Sequence, residues 1–258
     1  MNLLAFDTST DVMSMAVSRR VDGVPRVWQH DGPGGALASS GLIQGLMDLL
    51  QEADLSLKNL DAICFGSGPG SFTGLRTACS VAQGLAFGAG VPVLPIPSLL
   101  AVAEEARYTA LPHHPTGQVI ALLDARMDEM YGASYAFDGA LWTDIHAPCL
   151  LSPSGLQAWE STHGARSDAW AGNVFEVYAD RLPVPLEGNA PRVTALPTAS
   201  AMLRLAPSFI AAGFRVAAEH AMPIYIRNKV AKTTEERAVE KADKAEKIRL
   251  AESGSSHA

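Results

Sequence analysis

A glycine-rich turn between an apolar run and a helix-like stretch constrains this chain more than any other feature. Residues 65–76 read FGSGPGSFTGLR, which places Gly66, Gly68, Pro69 and Gly70 almost side by side. They follow the strand-like run Ala62–Phe65 and precede a helix expected from Thr73 to Phe87. Glycine tolerates positive φ and lets another backbone or a ligand come close, while proline stiffens the turn. Ser71 and Thr73 are suited to cap the helix that follows. Free N–H groups at such a helix start commonly meet an anion. The turn nevertheless fails both standard phosphate motifs. Gly74 is followed by Leu75 and Arg76, not by the lysine and hydroxyl of a P-loop. The dinucleotide fingerprint requires a third glycine and an acid about 20 residues later. Here the third glycine is missing, and no Asp or Glu occurs between Asp61 and Glu104. Two readings stand: a ligand loop, or a packing turn whose glycines make room.

Composition narrows the classes. At ~150 residues per domain, 258 residues make one large or two ordinary domains. A net charge of −7 argues against a chain that grips nucleic acid alone, because phosphate neutralisation needs clustered Lys and Arg. The start, MNLLAFD, lacks the basic region of a signal peptide. Cys64, Cys79 and Cys149 form no CxxC and read as reduced thiols of a cytoplasmic protein. Thr77–Ala103 is uncharged and long enough to cross a bilayer, but Gly84, Gly88, Gly90, Pro92, Pro95 and Pro97 interrupt it. It reads as helix, turn, strand Val91–Ile96 and a helix from Ser98, with no membrane span.

The apolar run Leu3–Phe6 ends at Asp7, and strands are expected at Met13–Val17 and Val24–Gln29. In the second half Val119–Leu123 ends at Asp124, and Met130–Phe137 follows at the same spacing as Met13 from Asp7. This repeat predicts an α/β chain of two related lobes, 1–108 and 109–231, joined through 108–117; chance recurrence is the alternative. A strand near Ala169–Ala171, an N-capping Asn173, a Pro-rich loop at 183–197 and a helix over Ala199–Gly213 complete it. Residues 232–258 read as a charged, solvated tail. In the helix expected over 36–53, Leu42, Leu46 and Leu49 form an apolar stripe that Ile43, Met47 and Leu50 widen. With Gly41 and Gly45 it fits either internal core or a face for another subunit. The seven histidines include no i,i+4 pair, and Ser71 lies in G-P-G-S-F rather than in a nucleophile elbow.

Four segments in order, FDTST, GPGSFTGLR with its continuation, LLDARMDEMY and PIYIR, resemble the TsaB (YeaZ) family of tRNA threonylcarbamoyladenosine biosynthesis. The likeness covers about residues 1–230. It implies an actin/Hsp70/sugar-kinase-like (ASKHA) fold built from two ribonuclease-H-like lobes. It also implies a non-catalytic helper that pairs with the catalytic paralogue TsaD through N-lobe helices. The ATPase TsaE joins them and tRNA binds through the complex, while homodimer and monomer both stay open for the chain alone. TsaD then transfers threonylcarbamoyl to N6 of the adenosine beside the anticodon. On this resemblance the partner interface is Leu42, Gly45, Leu46, Leu49, Leu75 and Arg76. Gly66, Gly68, Pro69, Gly70, Ser71 and Gly74 form a structural loop. Asp7, Ser9, Asp124 and Arg126 mark a vestigial nucleotide cleft, since Ser9 stands where active members of the superfamily have glycine. No cofactor and no metal are expected, and weak nucleotide binding stays open. The rival readings are an ATP-dependent phosphotransferase of the same superfamily and a metallopeptidase-like protein.

Overall fold

The computed structural model describes residues 1–163, 167–182 and 190–227. The charged tail expected at 232–258 lies outside the described residues. The first half runs β1 (Leu3–Asp7), β2 (Val12–Val21), β3 (Val24–Pro33), α1 (Ala38–Glu52), β4 (Ala62–Gly68), α2 (Phe72–Ala89), β5 (Val93–Pro97) and α3 (Ser98–Ala110). The second runs β6 (Gly117–Asp124), β7 (Met130–Phe137), β8 (Trp142–Leu151), α4 (Leu156–His163), β9 (Ala169–Gly172), α5 (Val174–Val177), β10 (Arg192–Thr194) and α6 (Ala199–Ala211). The sheet orders are β3-β2-β1-β4-β5 and β8-β7-β6-β9-β10, the same topology twice. In each, the first three strands form an antiparallel meander and the last two add in parallel. This is the duplicated ribonuclease-H-like, actin/Hsp70/sugar-kinase-like architecture.

The central strands explain themselves through burial on both faces. Leu4 and Phe6 of β1, Met13, Met15 and Val17 of β2, and Ile63 and Phe65 of β4 face one way, into a core closed by α1 and α2. Their alternating neighbours, Leu3, Ala5, Ala16, Ala62 and Cys64, face a second core shared by both lobes. The small side chains there let α3 and α6 pack close to the sheet. The second sheet sends Val119, Ala121 and Leu123 into that shared core. Ile120, Leu122 and Trp170 turn outward under Leu156 and Trp159 of α4. Full burial of one such side chain contributes about 1.5–3 kcal/mol.

Helix limits follow local chemistry. The Ser71 hydroxyl accepts from the Gly74 N–H at the start of α2, and Gly90 ends it at φ 71°. Thr198 caps α6 the same way through the Ala201 N–H. The end of the second half returns to the first. Ala199 N–H, at the start of α6, donates to Ser14 Oγ of β2. Val216 bridges the edge strand β5 at Val93, and Ile224 N–H donates to the Ser67 carbonyl. Residues 199–226, counted with the second lobe in the sequence reading, thus also complete the first. Strand β8 and the short β10 were not expected; β10 falls inside the stretch read as a Pro-rich loop.

Candidate functional site

At the end of β1 the chain turns so tightly that Asp7 caps its own loop. Asp7 Oδ1 accepts the Ser9 N–H at 2.6 Å, and Oδ2 accepts the Ser98 hydroxyl at 2.7 Å. Ser98 Oγ in turn accepts the Gly68 N–H at 3.2 Å. Asp7 and Ser98 are both fully buried. Burial pushes the Asp7 carboxyl up, and the hydrogen bonds from Ser9 and Ser98 only partly oppose this. The glycine-rich loop wraps this turn. A Cβ on Gly66 would lie 1.8 Å from Asp7 Oδ2, one on Gly70 2.5 Å from Ser9 Cβ, and one on Gly74 1.9 Å from the Thr8 carbonyl. Gly68, at φ 105°, carries a conformation that favours glycine. Pro69 follows it, and Thr8 Oγ1 donates to the Gly74 carbonyl at 2.7 Å. Of the two readings of the loop, the geometry is that of packing: its glycines admit residues 7–9. Asp7 and Ser9 therefore lie inside the fold, not on a cleft wall as the vestigial-nucleotide reading had them.

The matching turn after β6 is built differently. The Asp124 side chain is also covered, and its Oδ1 accepts from the Arg126 N–H (2.9 Å) and the Tyr178 hydroxyl (2.8 Å). Its Oδ2 meets the Arg126 guanidinium at 3.1 Å. Asn173 does not cap α5; its side-chain oxygen accepts the Asp124 N–H at 2.9 Å. Arg126, Met127 and Asp128 have φ of 61°, 56° and 66°, a run of left-handed residues. That bend carries the Arg126 guanidinium to Asp11, in the turn between β1 and β2. Asp128 receives both Nη groups of Arg181, which hold its carboxyl below the usual range. The Asp124 and Arg126 of the sequence reading thus do meet, and they join the two equivalent turns of the two lobes. Among the described residues no group of three His, Cys, Asp or Glu is placed to hold a metal ion. No helix among them is long and apolar enough to cross a membrane.

The expected partner face needs correcting. Leu42, Leu46 and Leu49 of α1 and Leu75 of α2 are buried in the chain's own cores and cannot present a contact surface. Gly45 does not receive a second helix either: a Cβ there would come within 2.7 Å of Met15 Cε, so the glycine seats α1 on its own sheet. A helix with a wide apolar sector turns its most continuous stripe inward, and here that stripe is the leucines. Of the six residues named, Arg76 is exposed and Gly45 partly so. The outer face carries different residues: Leu37 (65% exposed), Ile43 (52%) and Met47 (42%) on and beside α1, and Phe87 (82%) on α2. Between the start of α1 and the first half of α2 lies an open groove of about 430 Å³. Arg76 stands on its wall, its guanidinium carbon 3.8 Å from the centre of the Phe72 ring. Its Nε–H donates to the Tyr225 hydroxyl at 3.2 Å, and the Phe72 and Tyr225 rings lie 5.4 Å apart. Phe72 and Tyr225 sit in the GPGSFTGLR and PIYIR segments, but nothing in their spacing announces that they meet.

Known proteins resemble this chain in sequence and in fold. A model of the family described as "TsaD: tRNA N6-adenosine threonylcarbamoyltransferase" matches residues 39–256. The tRNA threonylcarbamoyladenosine biosynthesis protein TsaB of Escherichia coli (strain K12) is 31% identical over 245 residues, covering 90% of this chain and 96% of that protein. Its counterpart in Haemophilus influenzae is 32% identical over 240 residues, covering 89% and 95%. Among solved structures, YeaZ from Pseudomonas aeruginosa superposes with a TM-score of 0.72 at 34% identity, over 87% of this chain and 99% of that one.

Proposed function

The chain belongs to the TsaB (YeaZ) family, and from that premise we propose that it is a non-catalytic subunit that pairs with a TsaD-like paralogue. Its role lies in tRNA threonylcarbamoyladenosine biosynthesis. The observation that carries the pairing is the outer face of α1 and α2. Leu37, Ile43, Met47 and Phe87 all stand in solvent there, on two helices whose inner sides already fill the core. Large apolar side chains left in solvent on neighbouring helices are what a docking protein would cover. The chemistry belongs to the paralogue. In this chain the Asp7 carboxylate is spent on the Ser9 N–H and the Ser98 hydroxyl, and Asp124 on Tyr178 and Arg126. A TsaE-like ATPase and tRNA join through the assembled complex, no cofactor is held by this subunit, and without its partner the same face forms a homodimer.

Co-purification with the TsaD-like paralogue tests this. The Ile43→Asp variant changes an exposed side chain, so it keeps the parent's melting curve and loses the complex. A folded Ile43→Asp chain that still elutes with the paralogue overturns the interface. An isolated parent chain that modifies tRNA on its own overturns the helper role.

A further inference from the structure

Arg76 is a charge held in place with no counter-charge among the described residues. Phe72 stacks under it and the Tyr225 hydroxyl accepts from its Nε, and among the described residues neither Nη group makes a hydrogen bond. No carboxylate lies within 4 Å of it among the described residues. It is the only charged residue of α2, and it sits within the first two turns. There the helix macrodipole disfavours a cation and no local acid compensates. Ser39, Thr73, Thr77 and Ser80 line the same groove with hydroxyls, and no acidic side chain does. A preorganised guanidinium fork in an acid-free groove is built to take a planar anion in bidentate fashion.

We infer that Arg76 and its groove receive an acidic side chain, Asp or Glu, of the protein that docks on the α1–α2 face. The surroundings select a protein carboxylate over a nucleic-acid phosphate. α1 carries no Lys or Arg, and Leu37, Ile43 and Met47 are its exposed neighbours. A phosphate backbone needs several clustered cations, whereas a single arginine held on an aromatic ring, which a docking partner would desolvate, is the pattern of a protein hot spot. The inference rests on the pairing reading above and names the chemistry that gives it register.

The test uses the full chain and its TsaD-like paralogue, with Kd measured by calorimetry at low and high salt. Arg76→Ala is expected to weaken binding at least tenfold, and Arg76→Glu at least a hundredfold. Arg76→Lys keeps the charge but not the fork and falls between the parent and the Ala variant. The parent's affinity drops with added salt, and that drop is smaller in Arg76→Ala. Arg76 is exposed, so unchanged melting curves accompany all three. If the parent complex forms and the Ala and Glu variants bind within twofold of it, this inference fails while the pairing stands. If the variants keep the paralogue but the assembled complex loses affinity for tRNA, the anion is a phosphate and the inference is overturned. If the parent forms no complex, both readings fall together.

Discussion

Replacing Ser98 by Ala removes one hydroxyl that serves two buried partners, and its cost can be worked from the geometry. The Ser98 hydroxyl donates to the Asp7 carboxylate at 2.7 Å, a charge-assisted bond worth about 1.5–3 kcal/mol. The same oxygen accepts the Gly68 N–H at 3.2 Å, and orphaning that donor costs about 1–3 kcal/mol more. The sum, about 2.5–6 kcal/mol, corresponds to a fall in Tm of about 5–24 °C for a chain of this size. One effect limits the loss. Without the hydroxyl, burial raises the folded-state Asp7 carboxyl still further, so it takes up a proton more readily and sheds the unpaired charge. The deficit of the variant is therefore larger at pH 7 than at pH 5. Calorimetric melts of parent and Ser98→Ala at both values check this. A variant within about 2 °C of the parent at both pH values would refute the claim that this network holds the loop.

Two further outcomes follow from the same structure. Burial raises the folded-state Asp7 carboxyl above its unfolded value, so the stability it contributes is present below the unfolded pKa of ~3.9 and is lost as pH rises through the folded value. Relative to the titration-free Asp7→Asn variant, the parent gains stability on acidification through that window; urea titrations that show a constant difference would contradict it. Leu46→Ala empties a fully buried site under the first sheet and costs about 2–5 kcal/mol, measured as a lower urea midpoint with the paralogue absent.

The strands at the centre of each sheet were legible because burial on both faces leaves apolar runs, and each run stops at its aspartate. Strand β8 was not. It is an edge strand, carries Thr143, Asp144, His146 and Pro148, and shifts register twice against β7, so neither alternation nor an apolar run survives. The loop glycines stand out in the sequence, but only the position of residues 7–9 decides between ligand and packing. The exposed side of α1 was read from the wrong stripe. Leu42, Leu46 and Leu49 and the outer pair Ile43 and Met47 both follow helical spacing, and only the sheet beneath, with Met15 against Gly45, tells inside from outside. The Phe72–Arg76–Tyr225 cluster was hidden because its aromatic members come from opposite ends of the sequence.

The return of α6 and residues 214–226 to the first sheet bears on biogenesis. A nascent chain emerging from the ribosome cannot seal its amino-terminal half until nearly all described residues have been made. Ser14, Val93 and Ser67 wait for Ala199, Val216 and Ile224. During that interval the inner side of the first sheet stays uncovered, which is when a chaperone or protease would find it, and a message cut short in the second half would yield a fragment whose first half is unfinished too.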